Sequence, residues 1–451
     1  MTEPRDLAPP HEVRRIARRL EEAGYATWTV GGAVRDALAR IPPGDWDLTT
    51  AARPADVQRL FRRTVPISVE HGTVGVLGRD GHLYEITTFR RDVESFGRRA
   101  RVSFADTLEE DLERRDFTIN AVAWHPLTGE IRDPHGGVDD LRRGVLRTVG
   151  DPAERFREDR LRVLRALRFA GRFQLRIEPA TWEALRAAAE ALPELSAERI
   201  REELFKVLGG LRIPSVSLRL YADSGALRVL YPELQACIGV GEGRREKGED
   251  VWTHLLRTTD ALPRYRPLLR LAALLHDVGK PPTQEEREGE IRFPQHAEVG
   301  AALAREILRR LKCSNAEIDR TTHLVAQHSD VPAADAPDAE LRRWVRRVGR
   351  DYLWDLFRLR FAECRVRAGG DCSRREGELL TLYRRVRRLL AAQVPLEITD
   401  LAVGGRELRG LGIPAGPLYG EILRDLLERV TDDPSLNTPE RLLAIVRQRI
   451  Q

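Results

Sequence analysis

Residues 31–48 read GGAVRDALARIPPGDWDL. Two glycines close the apolar run ATWTV (26–30), an Arg-Asp pair follows one turn later, and an Asp-x-Asp brackets a tryptophan. This pattern predicts a strand over ATWTV, a helix beginning near Ala33 and a second strand over DWDLTT (45–50). Residues two apart in a strand face the same side. Asp45 and Asp47 would therefore present two carboxylates together, with Trp46 turned the other way. Paired hard oxygen ligands suit Mg²⁺ in phosphoryl or nucleotidyl transfer, one ion at the attacking hydroxyl and another at the pyrophosphate. Gly31 and Gly32 before a helix offer backbone N–H groups to phosphate oxygens, and Arg35, one turn on, can reach the same oxygens. Glu85, in the strand-like piece YEITTF (84–89), is the candidate for a third acid. An Asp-x-Asp alone is equally a solvated loop; its combination with Gly-Gly and Arg-Asp points to a nucleoside triphosphate and metal.

The chain around this stretch has 451 residues, too many for one core and enough for roughly three or four domains. Its net charge is +5, and only four of its 75 basic residues are lysine. Arginine suits phosphate and base edges through its planar fork. Seven arginines against two acids fall between Arg155 and Arg172, on what reads as one helix. The four cysteines are scattered, which argues against a disulfide frame or a thiolate zinc site. No apolar run approaches a membrane span, so a cytoplasmic protein with no membrane partner is expected.

Strand and helix patterns alternate up to about residue 150, without the regular rhythm of a doubly wound fold, and predict a mixed or antiparallel sheet. From about residue 152 the pattern is helical almost throughout. GVGEGRREKGED (239–250) reads as a linker. The expected fold class is α+β. An α/β head (1–150) would be followed by a helical neck (151–240), a histidine-bearing helical domain (249–370) and a helical tail (371–451).

GGAVRD with its D-x-D, then RRDFTINA (114–121), DPHGGVDDL (133–141), EDRLRVLRALRF (158–169) and ERIREEL (198–204) occur in that order. This series resembles the ordered motifs of the class II tRNA nucleotidyltransferase and bacterial poly(A) polymerase family, within the polymerase β-like superfamily. The C-terminal DLAVGGRELRGLGIPAGPLYGEIL (400–423) resembles the tail of its longer bacterial members. The resemblance implies that Asp45 and Asp47 bind the catalytic metals and that Gly31, Gly32 and Arg35 serve the triphosphate. It also implies that Arg115, Asp116 and Asn120 line the nucleotide pocket and help favour ribose, whose 2′-OH both donates and accepts. Asp159 and Arg162 would read the base, with Arg165 and Arg168 continuing the same helical step. The implied partners are a tRNA acceptor arm gripped through its phosphates, with CTP and ATP as substrates.

The base-reading role has its own chemistry. Cytosine and adenine each place an amine donor beside a ring-nitrogen acceptor, so a carboxylate and a guanidinium complement both. Guanine and uracil reverse that pattern. An Asp–Arg pair on one helix face can thus select C and A without a template. On residue types alone, the pair is also an ordinary helix ion pair.

Members of the family that build the whole CCA end carry a loop resembling TFRxDGxYxDxRRPxxVxF. The stretch here, TFRRDVESFGRRARVSF (88–104), is about two residues shorter and lacks the second acid and the proline. Shortening of this loop implies addition of CC rather than CCA.

Five of the ten histidines fall between 254 and 328. LLHDVGKP (274–281) resembles the core of an HD domain, a helical metal-dependent phosphohydrolase fold. The resemblance implies a second divalent-metal site at His254, His276, Asp277, His296 and His328. Glu363 aligns where the family usually has an aspartate. The rival readings are a poly(A) polymerase of the same family, an HD-type phosphohydrolase with an inactive head, and a non-catalytic RNA-binding protein.

Overall fold

The computed structural model describes residues 9–96, 99–241, 249–288, 290–367 and 372–450. The chain divides into two compact units, 1–232 and 233–451. Most of the expected linker, residues 242–248, lies outside the described residues, as do Gly97 and Arg98 of the shortened loop.

The first unit is built on a mixed sheet, as the sequence predicts. Its strands are β1 (Thr27–Val30), β2 (Asp47–Thr50), β3 (Thr64–Ser68), β4 (Thr73–Leu77), β5 (Leu83–Thr88), β8 (Ala123–Trp124) and β9 (Ile131–Arg132), in the order β3-β4-β5-β2-β1-β8-β9. Within this sheet, among the described residues, only β2 and β5 pair in parallel. Between β5 and β8, β6 (Arg90–Phe96) and β7 (Arg99–Phe104) form a separate antiparallel hairpin over the stretch read as the shortened loop.

One face of the sheet is closed by helices α1 (His11–Glu22), α2 (Gly32–Leu38) and α3 (Pro54–Leu60). Val13, Ile16 and Leu20 recur at helical spacing on α1 and pack with Val34, Leu38 and Val57 against Trp46, Leu48, Val74 and Ile86. Because Trp46, Leu48 and Ile86 are claimed by this core, their alternate neighbours Asp47 and Glu85 are turned to the opposite face. Hydrophobic burial therefore aims the acids.

Downstream of β7 come α4 (Leu108–Glu113), α5 (Gly137–Arg143), α6 (Pro152–Glu158), α7 (Leu161–Phe173), α8 (Pro179–Ala189) and α9 (Ala197–Gly210). The region from about residue 152, expected to lack strands, contributes to two short pairings. Val145–Leu146 pairs in parallel with Arg176–Ile177, and Glu285–Arg287 pairs with Glu290–Arg292. Two- and three-residue strands, the second pair charged and largely exposed, leave no periodicity to read. The arginine-rich stretch is likewise two helices rather than one, broken at Asp159, which has an extended backbone (φ −145°, ψ 106°).

In the second unit the helices His296–Arg310 and Asn315–Gln327 pack together, and two apolar clusters form. One runs from Leu262 to Leu396 and the other, in the tail, from Val403 to Val446. Among the described residues no helix is long and apolar enough to cross a membrane.

DPHGGVDDL has a structural job beside the site. Asp133 accepts from the N–H groups of Gly137 and Val138 (2.7 and 2.9 Å), and Asp140 accepts from the Thr118 hydroxyl (2.6 Å). These contacts press α5 against the turn Thr118–Asn120. A Cβ on Gly137 would lie 2.0 Å from the Thr118 carbonyl oxygen and 2.9 Å from Val122 Cγ2. Gly137→Ala should therefore destabilise the first unit by about 2–3 kcal/mol, seen as a lowered thermal midpoint by circular dichroism, whereas Gly144→Ala, with open space around it, costs only its left-handed strain.

Candidate active site

On the face of the sheet opposite the α1–α3 core is a cavity of about 740 Å³. Of the residues singled out in the first unit, Gly31, Gly32, Arg35, Asp47, Glu85, Arg115, Asp116, Asn120, Asp159, Arg162, Arg165 and Arg168 all line it. Asp45 does not. It is exposed and precedes β2, which begins at Asp47.

Asp47 lies across from Val30, the residue before the glycine turn, and Leu48 is in register with Ile86, which sets Asp47 beside Glu85. Burial, and then the neighbouring charges of Glu85 and Asp45, push the Asp47 carboxyl up to about 6, with Arg115 only partly offsetting them. A carboxyl that resists ionisation beside other acids is poised for a cation. At the turn, Gly31 adopts φ +73°, and a Cβ there would lie 3.3 Å from Arg115 Nη1.

The basic wall is tightly partnered. Arg35 donates from Nε and Nη2 to Asp36 Oδ1 (2.9 and 2.6 Å) and from Nη1 to Asn120 Oδ1 (2.6 Å). Its guanidinium carbon is 4.7 Å from the ring centroids of both Phe169 and Phe173. Arg35 therefore ties α2 to α7 as well as lining the cavity. Asp116 accepts from Asn120 Nδ2, from the Phe117 N–H and, at 2.7 Å, from Arg165. Burial opposes its ionisation, but Arg165 and these donors outweigh it and hold the carboxyl down at about 2. Arg168 donates to Glu203 (2.6 Å).

The Asp159–Arg162 pair takes a different form from the expected helix neighbours. Asp159 lies in the break between α6 and α7, where Oδ1 accepts from the Leu161 N–H (3.0 Å) and Oδ2 from Arg199 (2.7 Å). Arg162 pairs with Glu158 (2.6 Å) and donates to the Arg114 carbonyl. Both line the cavity, but each is held by another partner. Sequence reasoning passed over Arg199, Glu158, Asp36 and Arg172, although all but Arg172 stand inside quoted motifs. Arg172 continues the arginine face of α7 and donates to Asp36 Oδ2 (2.6 Å).

The second unit holds the histidine cluster. His276 Nε2 is 3.3 Å from His254 Nε2 and 3.2 Å from Asp277 Oδ2. His328 Nε2 and His296 Nε2 lie 3.3 and 3.5 Å from Asp277 Oδ1. His276, His296 and His328 each place Nδ1 2.7–2.8 Å from the carbonyl three residues earlier. A carbonyl only accepts, so Nδ1 carries a proton in each and Nε2, the atom turned toward Asp277, is left as the one that could ligate a metal, the orientation of a metal-binding histidine. Burial, then His276, holds His254 down at about 3 and keeps it neutral. Glu363 is buried 3.9 Å from His276 and bound by Arg360 and Arg367 (2.7 and 3.2 Å). Lys280 reaches Asp277 Oδ2 at 2.6 Å.

Residues 27–147 match the family model for the Poly A polymerase head domain, which makes the first unit's sheet a nucleotidyltransferase head. Residues 174–238 match a probable RNA- and SrmB-binding site of polymerase A, and residues 250–353 an HD domain. Over 98% of both chains, this protein is 33% identical to a CCA-adding enzyme of Geobacillus stearothermophilus and 34% identical to one of Geobacillus thermodenitrificans. The crystal structure of a Bacillus stearothermophilus CCA-adding enzyme in complex with CTP superposes with a TM-score of 0.75 at 30% identity, covering 100% of this chain and 98% of that one. The chain belongs to the class II tRNA nucleotidyltransferase family and carries an HD domain.

The raised Asp47 carboxyl has a measurable consequence. An aspartate whose folded pKa exceeds its unfolded value destabilises the fold increasingly as pH rises through that interval. The shift from 3.8 to about 6 corresponds to about 3 kcal/mol above pH 6 and nothing below pH 4. Without divalent cations, Asp47→Asn should raise unfolding stability by up to about 3 kcal/mol at pH 8 and leave it unchanged at pH 4, as read by urea denaturation at the two pH values.

Proposed function

We propose that the chain adds CMP to tRNA 3′ ends without a nucleic-acid template and stops after the second C. The 3′ oxygen of the tRNA forms a bond to the α-phosphorus of CTP, the bond to the bridging oxygen breaks, and pyrophosphate leaves while the hydroxyl proton passes to solvent. The observation that carries this reading is the lining of a single cavity by Asp47, Glu85, the glycine turn and the arginine face of α7.

The head suits Mg²⁺, because its candidate ligands are hard carboxylates and Asp47 resists ionisation without a counter-charge. Asp45, Asp47 and Glu85 would hold it, and when bound it supplies the positive charge that eases deprotonation of the hydroxyl and departure of pyrophosphate. The chain's own residues do the rest. Gly31 and Gly32 leave room for phosphates to approach the backbone. Asp116, held ionised by Arg165 and Asn120, presents an acceptor toward the ribose. Asp159 and Arg162 exchange their present partners, Arg199 and Glu158, for the amine and ring nitrogen of cytosine.

The shortened β6–β7 hairpin supports stopping at CC. Full CCA addition is the second reading, because the relatives that match over 98% of their length are CCA-adding enzymes. Transcripts ending at the discriminator base, at C and at CC, each offered CTP, ATP or both, separate the two on a sequencing gel. We expect the first to stop at CC and the last to refuse ATP. Addition of A to the CC-ended tRNA establishes the second reading. Asp47→Ala should lower CMP addition by about 10²–10³-fold, the scale of losing a group that stabilises transition-state charge.

The HD cluster supports a second metal centre with phosphohydrolase chemistry, because four imidazoles and Asp277 converge with three tautomers already set for ligation. Elemental analysis of protein purified without chelator should find a transition metal that His276→Ala and His328→Ala lose, while CMP addition by both variants continues. Equal metal content in wild type and variants would refute the assignment.

A further inference from the structure

Glu85 on β5 and Gly75 on β4 are directly paired, so whatever covers Gly75 lies on the same face of the sheet as the acids. Ile67 and Leu83 cover it. A Cβ on Gly75 would fall 2.9 Å from Leu83 Cδ1 and 3.0 Å from Ile67 Cδ1. Val65, paired with Gly75 from the other side, completes the group. Val65, Ile67 and Leu83 are 44, 42 and 44% exposed. Three large aliphatic side chains grouped in the open, one strand from a row of carboxylates, mark an interaction site.

The nature of the occupant follows from the sheet and the chemistry. β3 is an edge strand, but Pro66 has no N–H to offer, and the register breaks between Pro66 and Ser68. The edge is thus unsuited to receiving another strand, and the occupant lies flat on the face. A stable protein partner needs roughly 800 Å² on each side, more than three side chains supply. A single nucleobase fits, and it is apolar on its face.

In-line transfer at phosphorus places the entering and leaving oxygens on opposite sides. The glycine turn that serves the triphosphate follows β1, on one side of Asp47 and Glu85 in the strand order. β4 and β3 lie on the other side. The cavity already extends that way, to Thr73 and Thr87, which pair across β4 and β5.

We propose that Val65, Ile67 and Leu83 form a platform for the terminal base of the single-stranded RNA 3′ end, holding its hydroxyl over the acids. Gly75 keeps this platform flat, because a side chain there would displace both Ile67 and Leu83. The inference rests on the reading of the head as an RNA nucleotidyltransferase.

The test uses the full chain with Ile67→Asp, Leu83→Asp and Leu83→Phe, all at exposed positions. With CTP saturating, the KM for a tRNA ending at the discriminator base should rise at least about tenfold in both aspartate variants. CTP affinity, measured separately by calorimetry as a control for folding, should stay within about twofold of wild type, since loss of one base-stacking contact leaves the nucleotide pocket intact. Leu83→Phe should lower the KM, since an aromatic ring stacks better, an effect that a merely structural role would not produce. Unchanged RNA KM in an active wild type and both aspartate variants overturns the platform while leaving the head's activity standing. Sedimentation showing a wild-type dimer that the aspartate variants dissociate also overturns it, in favour of a second copy. Absence of any incorporation by the wild type overturns the reading of the head, and the platform with it.

Discussion

The guanidinium of Arg35 lies against both Phe169 and Phe173 of α7 while its donors hold Asp36 and Asn120. Asp36 in turn holds Arg172 on α7, and Asn120 holds Asp116, which holds Arg165. This one chain of charge runs from the helix after the glycine turn, through the RRDFTINA segment, to the arginine face. Arg35, Asp36, Asp116 and Asn120 are all at most 8% exposed. Removing a single partner from such a buried pair strands a charge and costs about 3–5 kcal/mol. The network therefore fixes α7 against the sheet, and with it the distance between the side that handles phosphate and the side that meets the base.

The two units handle concentrated charge in opposite ways. In the head, Asp47 and Glu85 stand together with only partial relief from Arg115, so the site carries an unmet demand for positive charge. In the HD cluster that demand is largely met. Lys280 lies against Asp277, Arg360 and Arg367 bind Glu363, and burial keeps His254 neutral. A site that depends on an incoming cation and substrate for its charge balance is less stable while empty, a cost that active sites commonly carry.

Much of the candidate site was legible in the sequence. Gly31, Gly32, Asp47, Glu85 and the arginines of α7 were found because their spacing follows simple geometry: a turn that needs positive φ, a strand's alternation, a helix's repeat. The short strands β8 and β9 and the 285–292 hairpin were missed because two or three residues carry no period. Asp159 was placed on a helix because acidic and basic residues around it keep helical spacing. The break there comes from its extended backbone and its bond to Arg199, 40 residues away.

Local periodicity and residue chemistry in the sequence by themselves determined an α+β chain with a mixed-sheet head, a largely helical remainder, an acid pair after a glycine turn and a histidine-rich segment, which only its resemblance to a family made an HD domain. These depend on neighbours within a few residues, where backbone geometry dictates which side chains share a face. Tertiary packing alone decided the partners. It set Arg35 on Asp36 and Asn120 rather than leaving it free in the cavity, and Asp159 on Arg199 rather than Arg162. It also laid Ile67 and Leu83 over Gly75 on the face that carries the acids. Arg35 with Asn120 and Asp159 with Arg199 join residues 85 and 40 positions apart, a long-range outcome that local spacing does not encode.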